Sequence, residues 1–108
     1  MLFDPTKKRV VGDDVKALLP AEVINQLWLR VNQMRKDNVL VDATVAIAFS
    51  DDVDPDNVFI MVIQQQGNIA LPYDIPYTGE KDFLGKGTIV IVSDKPKALK
   101  MTISELNK

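Results

Sequence analysis

Two short segments of this chain are apolar at every position. Val58 to Ile63 reads Val-Phe-Ile-Met-Val-Ile, and Ile89 to Val92 reads Ile-Val-Ile-Val. Both are rich in β-branched residues, which fit the pleated strand. Successive side chains of a strand point to opposite faces. A strand with no polar face must be covered on both sides, or it leaves apolar surface in water. The fold therefore has to supply two covers.

One cover is legible. Val23, Ile24, Leu27, Trp28, Val31 and Met34 recur at helical spacing and form a single apolar stripe. Pro20 suits the first helical position, and Glu22 suits the positive end of the helix dipole. Arg35 and Lys36 suit the negative end. The spacing predicts an amphipathic helix over about 20–37. Trp28 lies on its stripe and is expected in the core. Ahead of it, Thr6 to Val11 reads as a short strand. Asp13 and Asp14 are N-cap residue types for a turn or two of helix reaching Leu19.

The remainder reads as β structure. Thr44 to Phe49 alternates, with Val45, Ile47 and Phe49 on one face and small residues on the other. Leu99, Met101 and Ile103 alternate with Lys100, Thr102 and Ser104 in a half-exposed final strand. Residues 68–87, punctuated by Pro72, Pro76, Gly79, Gly85 and Gly87, read as irregular. The fold class is α+β, with one helix packed on an antiparallel sheet of about four or five strands. The 108 residues suit a single domain spanning 1–108. One helix covers only one sheet face. The second needs the segment near 13–19, the loop 68–87, or another subunit.

The chain contains no cysteine and no histidine. Disulfides, thiolate nucleophiles and thiolate zinc clusters are excluded, and the commonest general base is missing. A non-enzyme with no catalytic residue, cofactor or metal is expected. The start, Met1-Leu2-Phe3-Asp4-Pro5, has no signal-peptide pattern. No apolar run reaches the roughly 18 residues that span a bilayer. A cytoplasmic setting without a membrane partner is expected.

Charge is unevenly distributed. Residues 37–80 carry eight acidic side chains and no basic one, while residues 1–36 and 81–108 are both net basic. Such a division favours a cationic partner or self-association, and a solvated acidic loop is its plainest explanation.

Several motifs fall short of the chemistry they resemble. Asp52, Asp54 and Asp56 have the alternate spacing of a calcium loop, but Asn57 occupies the glycine position and Ile63 that of the bidentate glutamate. Gly79 to Thr88 is one residue too long for a phosphate loop and leads into a strand rather than a helix. Pro72-Tyr73 and Pro76-Tyr77 place two tyrosines four residues apart, suited either to contact or to covering the sheet. Lys7-Lys8-Arg9, Arg30, Arg35 and Lys36 are candidates for a basic face, on a chain that is acidic overall with a net charge of −2.

Taken in order, several short motifs resemble domain of unknown function family 960, small uncharacterised proteins of Gram-positive bacteria and their mobile elements. They are Val10-Val11, Leu19-Pro20, Leu27-Trp28, Asp42, Phe49, Gln64-Gln65, Tyr73, Met101-Thr102 and Glu105. The stretch after Gln65 and the ending Leu106-Asn107-Lys108 depart from the family pattern. The resemblance implies a helix packed on a sheet and a mobile-element origin, and it brings no catalytic residues.

These observations converge on a small protein-interaction or regulatory module whose partner is another protein or a second copy. The expected contacts are Tyr73, Tyr77, Ile75, Phe59 and Met61. The alternative is a nucleic-acid-associated accessory protein using the basic N-terminal segment and the helix.

Overall fold

The apolar stripe forms its helix, Ala21–Lys36, in a computed structural model that describes residues 2–104. Met1, Glu105 and the ending Leu106-Asn107-Lys108 lie outside the described residues. This helix, α2, buries Val23, Ile24, Leu27, Trp28, Val31 and Met34. Pro20 is its N-cap rather than its first helical residue, and the Pro20 carbonyl accepts from the Ile24 N–H at 3.1 Å. The helix stops in a Schellman turn. Asn38 takes a left-handed φ of 59°, the Val39 N–H donates to the Met34 carbonyl at 3.1 Å, and the Asn38 N–H donates to that of Arg35 at 3.1 Å.

A second helix, α1 (Asp13–Leu18), forms where a turn or two of helix is expected and adds to the one helix of the expected fold class. Its N-cap is Gly12, with no side-chain cap. Asp14 instead accepts from the Val15 N–H at 2.8 Å and from the Ile103 N–H at 3.2 Å, tying the helix to the last strand.

Among the described residues, six strands follow the order β1-β6-β5-β2-β3-β4. They are β1 (Lys8–Val11), β2 (Thr44–Phe49), β3 (Asn57–Gln64), β4 (Ile69–Pro76), β5 (Ile89–Asp94) and β6 (Ala98–Ile103). The expected four or five antiparallel strands are thus six in a mixed sheet, because β1 pairs with β6 in parallel. Hairpins force the antiparallel sense, and no hairpin joins strands from the two ends of the chain.

The unforeseen strand is β4. Ile69, Leu71, Tyr73 and Ile75 alternate along it, opposite Gln64, Val62, Ile60 and Val58 of β3. Pro72 and Pro76 disguise this alternation, since proline lacks an N–H and is excluded from central strands. Their positions remove the conflict. The Tyr77 N–H donates inward to the Asp56 carbonyl, so the even-numbered residues turn their backbone groups to the free edge.

Every buried strand residue lies on one face of the sheet. Opposite partners share a face, and the pairs Val45–Val92, Ile47–Val90, Ile47–Val62, Val58–Ile75 and Val92–Met101 are all internal. They form a single core with Val15 and Leu19, the α2 stripe, and Phe3 and Phe83. Phe83 stands edge-on to Phe49, with ring centroids 5.6 Å apart.

An ion pair ties the N-terminal segment to the end of β5. Lys7 Nζ lies 2.6 Å from Asp94 Oδ1, and the Phe3 N–H donates to Oδ2 at 3.0 Å. Burial raises the Asp94 pKa, but the hydrogen bonds from Lys7 and Phe3 and the Lys7 charge outweigh it, holding the carboxyl below its ordinary value. A depressed carboxyl stabilises the fold fully above its unfolded pKa of about 3.9. That contribution is lost as pH falls through the folded value. Asp94→Ala is expected to lower stability by about 1–3 kcal/mol at neutral pH. The gap from the native chain should narrow below about pH 4. Urea unfolding at neutral and acid pH measures both, and a gap independent of pH would contradict this account.

Candidate interaction face

The other face of the sheet has no cover among the described residues. It carries Phe59, Met61 and Ile63 of β3, Ile89 and Ile91 of β5, and Ala46 and Ala48 of β2 between them. Met61 is 38% exposed and Ile63 37%. The neighbouring apolar side chains are half-exposed because adjacent strands shade them. Both segments suggested as covers lie elsewhere. Val15 of α1 belongs to the core on the helix side, and Tyr77 and Phe83 of the later loop close that same core.

Two shallow depressions mark this face. One, of about 580 Å³, is lined partly by Ala48, Phe59, Met61 and Pro72. The other, of about 540 Å³, is lined partly by Ala46, Ile63 and Ile91. Both are predominantly apolar. Among the described residues, no group of three or more acidic side chains gathers to hold a metal ion. In the acidic loop, Asp54 Oδ1 is occupied by the N–H groups of Asp56 at 2.8 Å and Asn57 at 3.0 Å. That is a local turn made by the backbone.

The sheet edges are poor docking sites by comparison. On β4, Pro72 and Pro76 have no outward N–H to offer, and the outward Asp74 carbonyl accepts from Arg30 Nη2 at 3.2 Å. On the opposite edge, β1 is only four residues long. The face, rather than an edge, is where a partner finds uncommitted surface.

The five residues expected as contacts divide between the two sides. Phe59 and Met61 point to the open face. Ile75 is fully buried in the core, and Tyr77 is buried against Phe83 with centroids 6.1 Å apart, so neither presents surface to a partner. Tyr73 sits half-buried on the helix side beneath the Arg30 guanidinium, 4.8 Å from its ring centroid. Burial raises its phenol pKa, partly opposed by the Arg30 charge. Ile63, Ile89 and Ile91 were not among the expected contacts. Their signal was the absence of any polar face in their strands.

The basic residues weighed for nucleic acid are largely engaged within the chain. Lys7 pairs with Asp94, and Arg9 lies 5.5 Å over the Trp28 ring. Arg30 holds Asp74 and Tyr73, and Arg35 donates to Asn32 Oδ1 at 2.9 Å.

A solved structure with this fold is that of a protein of unknown function from Enterococcus faecalis. The two superpose with a TM-score of 0.78 at 15% identity, over 94% of this chain and 91% of that one. At that identity the likeness shows the fold alone. No protein-family model and no curated protein matches the chain. Among the described residues, no helix is long and apolar enough to cross a membrane.

Proposed function

We propose that this chain is a non-enzymatic, cytoplasmic protein-interaction or regulatory module whose contact surface is the uncovered face of its sheet. The observation that carries the reading is β3, apolar on both sides, with Met61 and Ile63 left in solvent. Exposed contiguous apolar surface of this kind marks interaction sites. The absence of histidine and cysteine supports a role without catalysis. Membership of the bacterial and mobile-element family it resembles is part of the same proposal and rests on the order of short motifs alone.

A photo-crosslinking side chain placed at Met61 tests the reading in cells that produce the protein. Discrete protein adducts are expected, and Ile91→Glu is expected to abolish them without unfolding the chain. No adduct from Met61, or adducts indifferent to Ile91→Glu, would end the reading.

A further inference from the structure

The charges around the open face are arranged for a particular occupant. The register places Lys8 and Lys100 on this face, at the edge formed by β1 and β6. Lys95 and Lys97 occupy the turn between β5 and β6 at the same end of the strands. All four are exposed, and among the described residues none makes an ion pair. The diagonally opposite corner is acidic. Asp74 of β4 lies on the open face there. Asp51, Asp52 and Asp56 stand beside it, exposed, in the loop between β2 and β3. Two described cations lie nearby: Lys81 is turned onto the Pro55 and Gly79 carbonyls, and Arg30, on the helix side, onto the Asp74 carbonyl.

The face thus has an apolar centre, a basic corner and an acidic corner. Resting on the reading of this face as a contact surface, we infer that its occupant is a second copy of the same chain. In an isologous dimer each surface must complement itself. A two-fold axis in the interface, perpendicular to the line joining the two corners, sets each basic corner on its partner's acidic corner. The apolar centres then meet, and the strands of the two sheets cross steeply, the orthogonal class of sheet packing. An axis along the corner-to-corner line sets like charge on like charge and is disfavoured.

The size is sufficient. The sheet has six strands. At about 4.8 Å between strands and about 3.3 Å per residue, its face projects on the order of 500 Å². Accessible area exceeds projected area on a corrugated surface, so the face approaches the roughly 800 Å² per partner of a standard interface. The dimer supplies the second cover that β3 and β5 lack.

Sedimentation of the full chain at micromolar concentration tests this. The native chain should form dimers that weaken as salt is added. Two variants, Lys8→Glu with Lys100→Glu and Asp56→Lys with Asp74→Lys, change only exposed side chains. Each should keep its circular dichroism and self-associate at least roughly tenfold more weakly. The first keeps only its acidic corner charged and the second only its basic corner, so in a mixed pair one acidic corner again meets one basic corner, and an equimolar mixture should recover dimers. A native chain that stays monomeric, variants that dimerise undiminished, or a mixture of folded variants that stays monomeric would overturn the inference. The two readings separate cleanly. Crosslinks from Met61 to another protein only, with a monomeric chain, would remove the dimer and keep the contact face.

Discussion

Replacing Gln64 by leucine is expected to destabilise the protein by about 3 kcal/mol, although the two side chains are similar in size. Gln64 is the only polar residue in the described core, at 1% exposure. It sits at the end of β3 and organises the connection from α2 to β2. Its Oε1 accepts from the Val41 N–H at 2.8 Å and the Asp42 N–H at 3.1 Å. Its Nε2 donates to the Val39 carbonyl at 2.9 Å. Leucine makes none of these bonds and leaves two donors and one acceptor unpaired. A buried unsatisfied group costs about 1–3 kcal/mol, and water reaching the outer members of this set reduces the sum. Asp42 Oδ2 accepts from the Gln66 N–H at 2.9 Å, a further bond that ties the connection to the turn after β3. Denaturant unfolding followed by Trp28 fluorescence measures the loss. A change below about 1 kcal/mol would mean that the connection is held by other contacts.

The second large effect contrasts the two faces of the sheet. Ile47 on β2 is fully buried, between Val62 and Val90 on its neighbours. Ile47→Ala removes three carbons from a packed core and is expected to cost about 2–5 kcal/mol. Ile63 points the other way and is 37% exposed. Ile63→Thr keeps the β-branched shape that suits a strand, so the monomer should lose less than about 1 kcal/mol. Its larger effect should fall on self-association. Unfolding measured at high dilution, where a dimer dissociates, isolates the monomer term. Equal losses at the two sites would contradict the division into a core face and an open face.

Much of the covered half of this structure was legible from local pattern. A six-residue stripe at helical spacing has one economical solution, and α2 adopts it. The alternation from Thr44 to Phe49 likewise placed Val45 and Ile47 inward. Failures arose where a local signal was overruled by position in the sheet. Pro72 and Pro76 read as strand breakers, yet at a free edge their missing N–H groups forgo no ladder bond. The Ile69-Leu71-Tyr73-Ile75 alternation was the signal that outweighed them. Residues 68–87 read as irregular from their prolines and glycines, which puts Ile75 and Tyr77 among the contacts, whereas the alternation of β4 buries Ile75 with Val58. The parallel pairing of β1 with β6 left no local trace, since it joins the two ends of the chain.

The open face itself was half-determined by the sequence. Two strands without a polar side require more cover than one helix provides, and that follows from the pleat alone. Which side remains bare depended on register and on where α1 and the loop bearing Phe83 come to rest, both non-local matters. The sequence also contains an acidic middle flanked by basic ends, but charge along a chain carries no direction in space. Strand order turned it into one. Residues 37–80 supply the contiguous strands β2, β3 and β4, and the two flanks supply β1, β6 and β5. Lys8 and Lys100 thereby meet at one corner because their strands pair, while the acids of the middle segment collect at the other.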